Sequence, residues 1–423
     1  MHLAKIIPWF AAGLIVLKWA AELLLEHLNR RHVLAHANAV PTAFKDTMDE
    51  PTYAKSVQYA LARSGFGRFE DTFDALVLLL VLFSGVLPWA LDFSRAHLGS
   101  SAWAMAGFLF AAGFILTLPG LPLNWFEQFR LEARFGFNTT TQKTWWLDRL
   151  KGFLLALALG YPLLVLVLKF VEWTGDWWWL WAWGALLAFQ LVIMVLAPVL
   201  ILPLFNKFTP LPAGTLRDRL LGLAGRTGFR ARAVFVMDGS KRSRHSNAFF
   251  TGLGRFRRIV LFDTLVQQLA ESELEAVLAH EIGHFKLKHV LKMLGLSALS
   301  ALVGFYLVAW LAGQAWFGQG FGFRTPTVAS TLLLAGLLGG TVSFWLSPVL
   351  NHWSRRHEFE ADRFAAGAIG GPGPLIGALR KLNRENLSNP APHPLYSAFY
   401  YSHPTLPERE EALKTLGAKP PAG

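Results

Sequence analysis

Two histidines and a glutamate at fixed spacing, His280-Glu281-Ile282-Gly283-His284, are the residues of this chain best suited to chemistry. On a helix, His280 and His284 lie one turn apart on one face, so both imidazoles can reach a single Zn2+. Glu281 stands beside them and can take a proton from an attacking water, the general-base part in metal-dependent peptide hydrolysis. The flanking sequence supports a helix. Leu274, Val277 and Leu278 recur at helical spacing, and Ser272 with Glu275 three residues on reads as a capping box.

A catalytic zinc takes three protein ligands and keeps one position open. His289 is the nearest further histidine, but on a continuous helix it lies about 140° around from His284, so it is expected at a surface or interface. The better source is the helical segment 354–362, Ser-Arg-Arg-His-Glu-Phe-Glu-Ala-Asp. Glu358 and Asp362 are spaced i, i+4, so one can ligate while the other orients a ligand histidine. Glu360, about 200° from Glu358 around the helix, has Arg356 one turn before it and Phe364 one turn after. That suits a peripheral ion pair above an apolar contact.

The elements that carry these residues are set by an apolar chain. Of 423 residues, 53% are hydrophobic, and the net charge is +12; the mean hydropathy is +0.36. Such a composition fits a polytopic membrane protein rather than a soluble one. The basic loops lack an interleaved aromatic motif, which argues against nucleic acid. With no cysteine, disulfides, Cys-ligated zinc and a thiol nucleophile are excluded.

Seven stretches are long and apolar enough to span a bilayer, near 6–28, 74–94, 102–125, 152–172, 177–205, 292–316 and 327–350. The first has no small-residue cleavage site and reads as a retained anchor. Within it Lys18 and Glu22, i and i+4, are expected to pair in the bilayer or face a watery cavity. Basic residues concentrate in alternate loops. Examples are Arg30, Lys45 and Arg63 in the first, Arg130 and Arg149 in the third, Arg230, Lys241 and Arg255 in the long loop, and Arg380 in the tail. The positive-inside rule then places the N-terminus outside, and the zinc-motif loop and C-terminus in the cytoplasm. Trp173, Trp177, Trp178, Trp179, Trp181 and Trp183 suit an interfacial aromatic belt.

The long loop reads as a small α/β module: a helix over 216–223, strand-like runs at 233–236 and 259–262, and 247–250 between them. A strand exposed beside a zinc site can take up a substrate backbone by β-addition. The resulting division is 1–205 (transmembrane helices 1–5 with cytoplasmic loops), 206–291 (zinc module), 292–350 (transmembrane helices 6 and 7) and 351–423 (cytoplasmic segment with the third ligand). The Pro-rich tail ends Lys419-Pro420-Pro421-Ala422-Gly423 and carries no lipidation box.

The chain resembles the CAAX prenyl protease 1 family of seven-span zinc endopeptidases that cleave prenylated proteins. The resemblance rests on Phe135-Gly136-Phe137-Asn138-Thr139-Thr140, on His245-Ser246-Asn247-Ala248-Phe249-Phe250 with residues 258–265, and on the His280–His284 motif. It extends to Glu358-Phe359-Glu360-Ala361-Asp362 and to residues 401–409 of the tail. It implies that His280, His284 and Glu358 hold zinc, that Glu281 is the base, and that Asp362 supports a ligand histidine. It further implies that Asn247 contacts the substrate backbone and that His403 hydrogen-bonds the substrate or the developing oxyanion. The implied fold is mainly α: seven transmembrane helices around an intramembrane chamber, capped by the cytoplasmic zinc-peptidase module. The substrates would be peptides or prenylated proteins at the lipid bilayer. Short terminal extensions without a retention signal suit a bacterial plasma membrane, with the endoplasmic reticulum as the eukaryotic counterpart. The rivals are a heat-shock-type membrane zinc protease, a transporter drawing on Lys18 and Glu22, and an inactive scaffold. Seven spans, the absence of paired half-sequences and the complete zinc set argue against each in turn.

Overall fold

The computed structural model describes residues 2–41, 48–229, 231–251 and 257–417. Lys45, Arg230, Arg255 and the terminal Lys419–Gly423 lie outside the described residues. Long apolar helices dominate. Among the described residues, five are long and apolar enough to cross a membrane: His2–Ala35, Ala102–Phe135, Gln142–Phe205, His289–Ala312 and Val328–Ile369. A sixth span arises if Glu50–Phe83 and Val86–Leu98, bent by 53° at their junction, count as one. The break falls inside the stretch expected near 74–94, where Gly85 takes φ 77.

The difference from the expected seven lies in Gln142–Phe205. It counts once as a 64-residue run, although Gly175 at φ 53 interrupts it. Trp178 and Ala182 beyond the break pack with Val167 before it. The tryptophans there divide. Trp173, Trp177 and Trp181 face outward and Trp178 is buried, while the Trp183 indole donates to the Ala298 carbonyl at 2.8 Å. Ile15, Leu82, Leu109, Leu168 and Leu334, from five of the long helices, form one core together with Phe321 of the turn after the short helix Ala315–Gly320. Many large apolar side chains, such as Trp9, Leu80 and Val349, remain exposed, as a bilayer-facing surface requires.

A second core belongs to residues 208–286 and the segments packed on them. Four strands, β1 (Phe208–Pro210), β2 (Ala231–Met237), β3 (Ala248–Thr251) and β4 (Arg257–Phe262), form a sheet in the order β1-β2-β4-β3. β2 and β4 are parallel, whereas β1 and β3 are antiparallel edge strands. Ile259, Val260 and Leu261 are all buried, as expected of a central strand covered on both faces. β1 was not foreseen, being short and ending in Pro210. Helices Thr215–Arg226 and Glu271–Lys286 share the core through Leu220, Leu223, Leu274 and Ile282.

The metal-motif helix starts earlier than expected. Its N-cap is Ala270, and Glu273 accepts the Ala270 N–H at 2.7 Å. Ser272 is already helical, so it cannot cap. Glu275 instead bonds to Arg219 and Arg226. Against this helix lies Ser347–Ile369, which continues the last long helix and carries Glu358. A Cβ built on Gly283 would lie 3.1 Å from the Ala361 Cα and 3.2 Å from its carbonyl oxygen. Gly283 and Ala361 therefore let the two backbones approach closely enough for their side chains to converge.

Candidate active site

At the crossing of those two helices, one atom each from His280, His284 and Glu358 fall within 4.8 Å of one another. His284 Nε2 lies 3.2 Å from Glu358 Oε1, and His280 Nε2 lies 3.4 Å from Oε2. The two Nε2 atoms face each other at 3.1 Å. Glu358 Oε2 is buried without a hydrogen-bond partner among the described residues. Two imidazole lone pairs and a buried carboxylate aimed at one point call for a cation, and two nitrogens with one oxygen suit zinc with a position left open. The residues present fit the metal.

His280 Nδ1 meets Asp362 Oδ1 at 2.8 Å. A carboxylate only accepts, so the ring donates from Nδ1 and Nε2 points to the centre. Asp362 in turn receives Arg409 Nη2 at 2.5 Å on Oδ1 and Nε at 2.8 Å on Oδ2. Arg409 is buried on the last helix, Leu406–Gly417. In the sequence Arg409 is only the last residue of the 401–409 tail match, with no role attached to it. A charged residue inside an otherwise matched motif is the signal that could have raised it.

His289 corrects the expectation of a surface or interfacial histidine: it is buried. The 140° argument assumed one continuous helix, but the metal-motif helix ends at Lys286 and Lys288 adopts φ 60. This left-handed residue turns the chain back, and His289 Nδ1 comes within 3.0 Å of His284 Nδ1. Glu360 makes the expected pair with Arg356 at 3.3 Å, and it also meets His289 Nε2 at 3.1 Å. Lys18 and Glu22 pair at 2.6 Å, remote from the centre in sequence and on the first long helix.

A cleft of about 730 Å3 is lined by Glu281, Asn247, Ala248 and His403 together with His280, His284 and Glu358. Burial pushes the Glu281 carboxyl above its ordinary value, although the two histidines pull it down. Such a shift suits a base working near neutral pH. Asn247 precedes the edge strand β3 and accepts the N–H of Ala248 at 2.8 Å. His245, two residues before Asn247, stacks on Phe137 with ring centroids 4.2 Å apart, and Arg244 donates its N–H to the Phe137 carbonyl at 3.1 Å. The 135–140 segment thus braces the start of β3. His403 Nε2 stands 3.5 Å from Glu358 Oε1. Its segment is anchored to the first helix by Tyr396, whose hydroxyl donates to Glu26 at 3.0 Å, and to the ligand helix by Asn351, whose amide donates to the Phe399 carbonyl at 2.7 Å.

Residues 29–207 match the CAAX prenyl protease N-terminal family, described as five membrane helices. Residues 210–416 match Peptidase family M48. CAAX prenyl protease 1 of Saccharomyces cerevisiae is 35% identical, the alignment covering 98% of this chain and 97% of that protein. The CAAX prenyl protease 1 homolog of Homo sapiens is 32% identical, covering 92% of this chain and 91% of its own. Among solved structures, that of S. mikatae Ste24p superposes with a TM-score of 0.87 at 33% identity, covering 96% of this chain and 98% of that one. The paired helices, the metal-ligand crossing and these matches over nearly the whole length lead to one assignment: the chain is an integral, multi-pass membrane protein belonging to Peptidase family M48, with a CAAX prenyl protease N-terminal region.

Proposed function

We propose that the chain is a membrane zinc metalloendopeptidase that cleaves proteins bearing a prenylated C-terminal CAAX sequence. The observation that carries this reading is the convergence of His280, His284 and Glu358 on one point in a cleft that also holds Glu281. These three residues hold the metal, and Asp362 fixes the His280 ring. A zinc ion held there would supply Lewis-acid polarisation of the scissile carbonyl and would lower the pKa of water towards about 7.

The rest is the work of this chain's own groups. An extended substrate adds to the free edge of β3, which sets the scissile bond beside the metal-motif helix. The Asn247 side-chain amide donates to a substrate carbonyl, since its own oxygen is engaged by Ala248. Glu281 takes the proton of the attacking water and passes it to the leaving amine. His403 donates to the oxygen on which negative charge develops.

The architecture we infer has seven spans. A run of 64 residues extends for roughly 96 Å at 1.5 Å per residue, far beyond one hydrocarbon layer of about 30 Å. Divided at Gly175, it supplies two spans, and the bent pair supplies one more. The helices enclose an intramembrane chamber beneath a small α/β zinc-peptidase module, with the residue ranges 1–205, 206–291, 292–350 and 351–423 as its parts. The basic loops put the module and the C-terminus in the cytoplasm, at a bacterial plasma membrane or its endoplasmic reticulum counterpart. Its partners are substrate and lipid bilayer, not nucleic acid. Reporter fusions near Lys241 and Lys414 should both score as cytoplasmic; two external readings would reverse the orientation.

The activity is tested by giving purified protein a farnesylated CAAX peptide and its unlipidated twin, with and without chelator. Cleavage of the lipidated peptide, abolished by chelator and restored by zinc, is expected. Equal rates on both peptides would remove the prenyl specificity, and chelator-resistant cleavage would remove the metal mechanism.

A further inference from the structure

His284 faces Glu358 and His280 through Nε2, yet among the described residues no carboxylate touches its other nitrogen. That nitrogen, Nδ1, lies 3.0 Å from Nδ1 of His289, whose Nε2 lies 3.1 Å from Glu360 Oε2. Hydrogen-bond arithmetic leaves one consistent pattern for neutral rings. Glu360 only accepts, so His289 carries its hydrogen on Nε2 and donates to the carboxylate. The Nδ1 of His289 then bears a lone pair and accepts from the Nδ1–H of His284. His284 is left with a free lone pair on Nε2, the atom 3.2 Å from Glu358 Oε1.

We propose that His289 and Glu360 are positioning residues that fix the tautomer and ring direction of the metal ligand His284. His280 gets the same service directly from Asp362; His284 gets it through one intervening histidine. Two further features hold the relay still. His289 is buried and stacks on His357 with ring centroids 4.1 Å apart and planes 14° from parallel. Arg356 donates to the other oxygen of Glu360 at 3.3 Å. The left-handed Lys288 is what brings His289 under His284, so the break between the metal-motif helix and the following span forms part of the site. Carboxylate support of a ligand histidine commonly contributes ten- to a hundredfold in metal affinity, and an interposed imidazole transmits the same orientation.

The inference rests on the zinc reading but is measured apart from cleavage, by zinc affinity in competition with a chromophoric chelator on the full-length protein in detergent. His289→Ala should weaken zinc by about ten- to a hundredfold. His289→Asn places an amide oxygen near the lost Nδ1 and should recover most of that affinity. Glu360→Leu, at a half-exposed position outside the core, should bind zinc several-fold more weakly by the same mechanism. Melting of the zinc-free variants reports folding separately. Wild-type zinc affinity in His289→Ala or in Glu360→Leu would overturn the relay, as would an Asn variant no tighter than the Ala variant. Failure of every form to cleave a prenylated peptide, with these affinities as expected, would count against the proposed substrate and leave the relay standing.

Discussion

Arg409 and Asp362 form a two-point pair, with Nη2 on Oδ1 at 2.5 Å and Nε on Oδ2 at 2.8 Å, directly behind His280. The pair joins the last helix of the chain to the helix that carries Glu358. Its Nη1 also lies 3.7 Å from Glu358 Oε2, so one guanidinium balances two buried carboxylates.

Truncating that guanidinium leaves Asp362 charged, buried and unpartnered. Arg409→Ala should therefore destabilise the protein by about 3–5 kcal/mol and loosen zinc, since His280 loses its fixed carboxylate. Arg409→Lys keeps the charge but not the fork and should recover only part of the loss. Thermal melts and zinc titrations check both; an Arg409→Ala protein with wild-type melting would show that the pair is dispensable.

Glu281 lines the cleft without being one of the three converging residues. Glu281→Gln preserves shape and removes the base, so zinc should stay bound while kcat falls by about two to four orders of magnitude. Turnover near the wild-type rate in a zinc-loaded Glu281→Gln protein is the outcome that removes Glu281 from the mechanism.

The crossing of the two ligand helices depends on an absent side chain. At Gly283 a Cβ would meet Ala361 backbone at 3.1–3.2 Å and the Phe364 Cβ at 3.2 Å. Gly283→Val should force the helices apart, cost about 1–3 kcal/mol and weaken zinc as the ligand atoms separate. Unchanged stability and zinc affinity would mean that the crossing has slack which the geometry does not show.

The metal and a proton compete for His280. Burial opposes charge on this ring, but hydrogen bonds to Asp362 and Glu358 outweigh it and hold the imidazole up at about 9, against an ordinary 6.5. With the folded value raised, the charged ring stabilises the metal-free protein fully below pH 6.5 and progressively less as pH rises through about 9. Zinc needs the neutral ring and must displace the proton, so its affinity should climb across the same window. A zinc affinity flat with pH in that range would contradict this coupling.

Much of this was legible in the sequence because the signals are local. Helical spacing placed His280 and His284 on one face, and the i, i+4 spacing of Glu358 and Asp362 put both carboxylates on the face that meets His280. The runs at 233–236, 247–250 and 259–262 fall within β2, β3 and β4 or at their edges. What escaped depends on breaks and on distant chain. His289 was misjudged because one left-handed residue, Lys288, is invisible to helical periodicity. Arg409 was missed because its partner Asp362 is 47 residues away and only tertiary packing joins them. The cap was displaced because Glu275 serves Arg219 and Arg226 rather than the helix start.

The central claim is that this fold builds one zinc site on His280, His284 and Glu358, and metal analysis of two single variants tests it most directly. Glu358 lies between both histidines, whereas Glu360 touches the site only through His289. Stoichiometric zinc is expected in the wild-type and Glu360→Ala proteins at saturating metal, and none in a folded Glu358→Ala protein. Zinc retained without Glu358 but lost without Glu360 would contradict the assignment and require the ligand helix to be read in another register.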